Sequence, residues 1–171
     1  MAIVTVVVGC VPPGNPGTED RNKFLEATAG GYAIGLNANV APRANGTTKA
    51  CPDHAGVNHW GTADEHGVWK GPFTVCYTLG LPTSNAHRGT VYMHEMGHVY
   101  AQRLVEVGST WAQGPINNAE KFADCFAQLH GGNTAFNGYW GGNACTQSWV
   151  DKIAQMEAFA PPNNSTGWWT P

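Results

Sequence analysis

Apolar positions recur along this chain with two different periods. In the first half they come in short runs broken by Gly, Pro and Asn. The stretch "GPFTVCYTL" alternates, placing Phe73, Val75 and Tyr77 on one face of a predicted strand. The opening "MAIVTVVVGCVPPG" is a Val- and Ile-rich run ended by Pro-Pro-Gly, which reads as a first strand. A short helix is expected over "TEDRNKFLEATAG", with Thr18 as cap, Glu19 and Asp20 facing the N-terminal dipole and Gly30 as stop. Residues 32–68 read as loop and short-strand material.

In the second half the period becomes helical. From about Thr90 to Val107, the positions Met93, Gly97, Tyr100, Leu104 and Val107 form one stripe. A second helix is expected from about Asn118 to His130, capped by Asn117 or Asn118 and closed by Gly131–Gly132, with Phe122, Phe126 and Leu129 inward. A third begins near Thr146 with Trp149, Ile153 and Met156 inward. The last stretch, "PPNNSTGWWTP", cannot continue a helix and reads as an extended tail over about 161–171. Strands followed by helices predict an α+β fold. With no repeat and no dividing linker, residues 1–171 are expected to form a single domain.

Composition narrows the function classes. Nine basic and twelve acidic residues give a formal charge of −3, and no basic run occurs, which argues against nucleic acid and anionic membrane as partners. No apolar run approaches the roughly 18 residues needed to span a bilayer. The opening stretch has the apolar core of a signal peptide without its positive flank, and "VVGC" resembles a lipoprotein cleavage site, so a targeting remnant is the alternative to a strand. The five cysteines (Cys10, Cys51, Cys76, Cys125 and Cys145) contain no CxxC pair, which disfavours a cysteine-ligated structural zinc. Nearest pairings would be Cys51–Cys76 and Cys125–Cys145, with one thiol left over. These fit an extracellular or secreted protein, the alternative being five buried thiols in a cytoplasmic one.

Chemistry concentrates in "HEMGHVY", residues 94–100. Residues four apart on a helix lie one above the other, so His94 and His98 can present ring nitrogens to one Zn²⁺. Glu95 projects beside them, placed to take a proton from water as a general base. Gly97 leaves space for another element to approach. A catalytic zinc needs a third ligand, and "NAEKFADCFAQ" places Glu120 and Asp124 on one helical face. Two like charges there oppose each other unless Glu120 binds a cation and Asp124 accepts the second ring N–H of a ligand histidine.

HExxH followed by ExxxD on a later helix resembles the gluzincin zinc metallopeptidases, and Glu120 lies 22 positions beyond His98, a spacing similar to theirs. More closely, "HEMGHVYAQ" with "EKFADCFA" resembles bacterial neutral zinc metallopeptidases carrying HExGH and ExxADCxA. The resemblance implies a small zincin-like domain and one Zn²⁺ per chain. It implies His94, His98 and Glu120 as ligands, Asp124 as the residue orienting a ligand histidine, and a peptide or protein substrate. It also implies a Tyr or His that stabilises the oxyanion, for which Tyr139, His130 and Tyr100 are the candidates. Ala101 and Leu104 stand where a metzincin needs further motif residues, so that group is disfavoured. His54, His59, His66 and His87 lack ligand spacing and read as loop residues.

The expected function is therefore a zinc-dependent endopeptidase. Its rivals are a non-catalytic metal-binding structural module, such as a phage or secreted assembly component, and a zinc amidase acting on peptidoglycan. Glu95 speaks against the first, because a binding site has no use for a base.

Overall fold

The computed structural model describes residues 18–43, 56–59, 62–63, 69–70, 73–78, 88–108, 118–133 and 145–169, and of the strands beyond Ala38 it gives the backbone alone. The described chain is mostly helical. Its four helices are α1 (Thr18–Gly35), α2 (Arg88–Glu106), α3 (Ala119–Leu129) and α4 (Gln147–Phe159). Five short strands complete it: β1 (Ala38–Arg43), β2 (Gly56–His59), β3 (Thr62–Ala63), β4 (Trp69–Lys70) and β5 (Phe73–Thr78). β5 is central, paired parallel to β1 from Ala38 opposite Phe73 and antiparallel to β2 from Gly56 opposite Tyr77. β3 and β4 form a separate antiparallel pair. The N-terminal run, Cys10, Cys51, His54, His66, His87 and Tyr139 lie outside the described residues, and so does the side chain of Cys76.

α2 is the axis of the core. It packs against α1, α3, β2 and β5, and every residue from Arg88 through Leu104 is buried. The predicted stripe of Met93, Tyr100 and Leu104 lies inside, but so does the polar face, because neighbours cover the helix all round. Val107 leaves the stripe. The helix ends at Glu106 and Val107 is 43% exposed, just before Gly108 in the left-handed region.

Two glycines of α2 mark close approaches. A Cβ on Gly89 would meet the α1 backbone and Leu25, and one on Gly97 would lie 2.8 Å from the Ala123 Cα of α3. Polar contacts fix the same start: Asn22 Oδ1 accepts from the Gly89 N–H at 2.9 Å, and Arg88 pairs with Glu26 and Glu19.

α1 corrects one expectation. It does not stop at Gly30 but runs through Gly30–Gly31 to Gly35. Each mid-helix glycine costs about 1 kcal/mol relative to alanine. Leu25, Ala29, Ala33 and Leu36 continue a helical stripe that is at most 2% exposed. Fully burying one leucine contributes about 1.5–3 kcal/mol, so the stripe outweighs the glycines. The helix ends instead where Asn37 turns left-handed at φ 51°. There Arg103 of α2 donates from Nε to the Leu36 carbonyl at 2.9 Å and from Nη2 to the Asn37 carbonyl at 3.3 Å.

The segment expected to be an extended tail is also corrected, since it folds back through turns. Asn164 grips Trp169 from both sides, accepting from its N–H at 3.2 Å and donating to its carbonyl at 2.6 Å. The Trp169 ring is 6% exposed, stacks 3.7 Å from the Arg103 guanidinium and donates to Glu106 at 3.1 Å. A Pro-rich sequence cannot be helical, but it can be docked.

α3 starts where expected, with Asn118 Oδ1 accepting from the Lys121 N–H at 3.3 Å. It closes through Gly131 at φ 89°, and Gly132 N–H donates to Ala127 O at 2.8 Å. Phe122 and Phe126 are fully buried, while Leu129 is only partly so. A disulfide joins Cys125 of α3 to Cys145, one residue before the Thr146 cap of α4. Among the described residues, no helix is long and apolar enough to cross a membrane.

Candidate metal centre

The close approach at Gly97 brings one turn of α2 against the first turns of α3. Four side chains meet there, and all four were expected from the sequence. His94 Nε2 and His98 Nε2 lie 3.1 Å apart on α2. Across the helix pair, Glu120 Oε2 lies 3.3 Å from His94 Nε2, and Glu120 Oε1 lies 3.5 Å from His98 Nε2. Behind this triangle, Asp124 Oδ1 accepts from His94 Nδ1–H at 2.7 Å. Asp124 is 4% exposed and His94 is 1% exposed, so this bond is shielded from water.

The donor set fits a metal ion. Tetrahedral coordination with bonds of roughly 2.0–2.1 Å places neighbouring ligand atoms roughly 3.3–3.4 Å apart. The two ring nitrogens stand 3.1 Å apart, and each has its own Glu120 oxygen at 3.3 or 3.5 Å, distances close to that value. The tautomer points the same way. An ionised carboxylate only accepts, so Asp124 claims the proton on His94 Nδ1 and leaves a lone pair on Nε2. That lone pair faces the Glu120 carboxylate, and two acceptors at this distance repel unless a proton or a cation lies between them. His94, His98 and Glu120 could thus bind a metal, and two imidazoles with one carboxylate suit zinc and its first-row neighbours.

Without the ion, protons take its place. Burial pulls His94 towards its neutral form, but the hydrogen bonds to Asp124 and Glu120 and the nearby Glu95 charge outweigh that and push it up to about 9. The same bonds from His94, and then from His98, hold Glu120 well below the usual carboxylate range. The first-turn position of Glu120 at the positive end of α3 acts in the same direction. The histidines differ behind the ring. His98 Nδ1 is buried with no hydrogen-bond partner among the described residues, whereas His94 Nδ1 is held.

Glu95 is 4% exposed, beside the triangle but not part of it. His130 is not brought to the cluster. It follows α3 ten residues after Glu120, about 15 Å along a helix axis. Both its nitrogens are engaged, Nε2 with Glu157 at 2.8 Å and Nδ1 with the Tyr32 hydroxyl at 3.3 Å. Tyr100 is a core residue whose hydroxyl donates to Ala160 O at 2.8 Å. His59 belongs to strand β2 rather than to a loop. Sequence reasoning missed Asn22, which caps the helix bearing the histidines from 67 positions away and gives no local signal.

Compared with family models, with curated proteins and with solved structures, the chain matches none. The chemistry of this cluster therefore carries the functional reading alone.

Proposed function

We propose that the chain is a zinc-dependent endopeptidase of the gluzincin type on a small zincin-like α+β scaffold, with one Zn²⁺ held by His94, His98 and Glu120. One observation carries the reading: a ligand triangle of metal dimensions with a buried carboxylate, Glu95, beside it on the same helix. Zn²⁺ held by His94, His98 and Glu120 would supply Lewis acidity there, for the acidification of water and the polarisation of a peptide carbonyl. Asp124 fixes the His94 ring so that its Nε2 lone pair faces the site. Glu95 takes a proton from the attacking water and delivers it to the leaving amine. Of the three oxyanion candidates, His130 has both nitrogens committed elsewhere and the Tyr100 hydroxyl donates to Ala160 O, which leaves Tyr139, outside the described residues, as the candidate to test. The Cys125–Cys145 disulfide supports an extracellular location.

Elemental analysis of protein prepared without chelator, combined with cleavage profiling of a peptide library, tests this reading. About one zinc per chain and peptide hydrolysis are expected. Glu95→Gln should keep the zinc and the fold and lose nearly all turnover. Comparable turnover by that variant, or a chain that takes up no zinc, refutes the assignment.

A further inference from the structure

The disulfide lies on the helix that supplies the third ligand. Cys125 directly follows Asp124, is fully buried and belongs to the main core cluster. Cys145 is partly exposed and sits one residue before the α4 cap. α3 is only 11 residues long, below the roughly 12–15 at which a helix is even marginally stable by itself. Its position therefore depends on what it is tied to. Three contacts join α3 to α4 and the residues just before it: the disulfide at Cys125, the Lys121 ammonium 5.0 Å from the Trp149 ring centroid, and the His130–Glu157 hydrogen bond at the C-terminal end. The disulfide is the covalent one, and it adjoins Asp124.

From this placement we propose that Cys125–Cys145 is a redox lock on the metal centre, closed where the surroundings are oxidising and opened by a dithiol. The inference rests on the metal-site reading and adds its regulation. A thiolate of the dithiol attacks Sγ of Cys145, the more accessible sulfur, and the Sγ–Sγ bond breaks. Cys125 leaves with the electron pair and takes a proton. The second thiol then displaces Cys145 from the mixed disulfide. The dithiol is oxidised to its disulfide, and the chain gains two electrons and two protons as two thiols. Reduced Cys125 remains a small apolar side chain inside the core, and Phe122, Phe126 and the His130–Glu157 bond still hold α3. The helix therefore stays folded but is less firmly placed. His94 and His98 remain on α2, whereas Glu120 and Asp124 shift together. Metal affinity then follows the thiol–disulfide state of the compartment, weak in a reducing cytosol and tight after export.

The test uses the full chain in metal-free form, oxidised or reduced with dithiothreitol and desalted under nitrogen. Zinc affinity is read by competition with a chromophoric chelator, helix content by circular dichroism, and the His94 tautomer by ¹⁵N chemical shifts. The lock predicts that Cys125 and Cys145 both become open to alkylation after reduction, read by peptide mapping, with unchanged helix content. It predicts zinc binding weaker by about tenfold, the low end of what disturbing a ligand-orienting partner does, and recovery on reoxidation. Cys145→Ser should behave as the reduced form with or without reductant. Equal affinity in both states overturns the lock, and so does a loss that tracks loss of helix. If neither form binds zinc, the metal reading fails, and the His94 signal decides the lock by itself. Recorded above about pH 10, where metal-free His94 is neutral, a shift from the fixed Nδ1–H form towards an average on reduction supports it, and an unchanged signal overturns it.

Discussion

Replacing Gly97 with alanine tests the fold and the site together. An ideal Cβ at this position would lie 2.8 Å from Ala123 Cα, 3.1 Å from Phe126 Cβ and 3.3 Å from Ala123 Cβ. Carbon atoms in contact prefer about 3.5–4.0 Å, so α3 must retreat by about 0.7 Å or more. None of these atoms can swing aside, because all belong to the α3 backbone or are attached directly to it. Overpacking of this kind costs about 1–3 kcal/mol, and better helix propensity returns up to about 1 kcal/mol. The net loss of stability should be about 1 kcal/mol. The site should suffer more than that implies. The 3.3 and 3.5 Å separations from the Glu120 oxygens run between α2 and α3, while the 3.1 Å separation of the ring nitrogens lies within α2. The retreat would stretch only the first two, to about 4 Å, beyond what tetrahedral bonds can bridge. The 2.7 Å bond between His94 and Asp124 would lengthen with them. Zinc affinity should fall about 10–100-fold by chelator competition, with helix content retained and a small drop in the urea midpoint. Gly30→Ala is the control, because nothing lies within 4 Å of its Cβ. It should raise stability by up to about 1 kcal/mol and leave zinc affinity alone. If Gly97→Ala binds zinc as tightly as the parent chain, α2 and α3 do not approach as described.

Glu120→Ala should abolish stoichiometric zinc, whereas Asp124→Ala should weaken it by about 10–100-fold, both read by equilibrium dialysis; equal losses would erase the distinction between ligand and orienting residue. Because the His94 pKa is raised from 6.5 to about 9 in the metal-free chain, its stabilisation is complete below about pH 6.5 and lost as pH rises through about 9. Metal-free melting temperature should fall across that window. Zinc binding at neutral pH should release a proton, seen as a buffer-dependent heat; a His94 signal that titrates near 6.5 contradicts this. Trp169→Ala should cost about 3 kcal/mol in urea unfolding, since a buried ring and its contacts with Arg103 and Glu106 go together. A change within error would mean that the turn at Asn164 does not hold the ring in solution.

What the sequence made legible was whatever is written locally. His94 and His98 four apart, the Asn118 cap and the Phe122/Phe126 stripe depend on neighbours within a turn or two, and the structure has them in those places. Gly97 was readable as a point of approach, though not which residue approached it. Misreadings arose where distant residues decide. Gly30 looked like a stop because the stripe continuing through Ala33 and Leu36 gains its stabilisation from α2, which begins more than fifty residues later. The last segment looked extended because neither Arg103 nor Glu106 is near Trp169 in sequence. Val107 matched the helical period, but the helix ended before it. His130 looked chemical, yet Tyr32 and Glu157 claim it from two other helices. β1, β2 and β3 fell in a stretch anticipated only as loop and short strands, and β4 was not anticipated, since runs of two to six residues give too few positions to establish a period.

The unequal exposure of the three candidate ligands would have a kinetic consequence. The His94 and His98 side chains are 1% and 9% exposed, while that of Glu120 is 40% exposed at the edge of the helix pair. An ion held on this triangle would therefore meet water on the Glu120 side. Rotating one carboxylate is a rapid motion, whereas parting two packed helices is slow. The residence time of the ion would then be set by how often Glu120 swings away, with the imidazoles left standing as a half-empty seat. Zinc could be exchanged many times over without the chain ever unfolding.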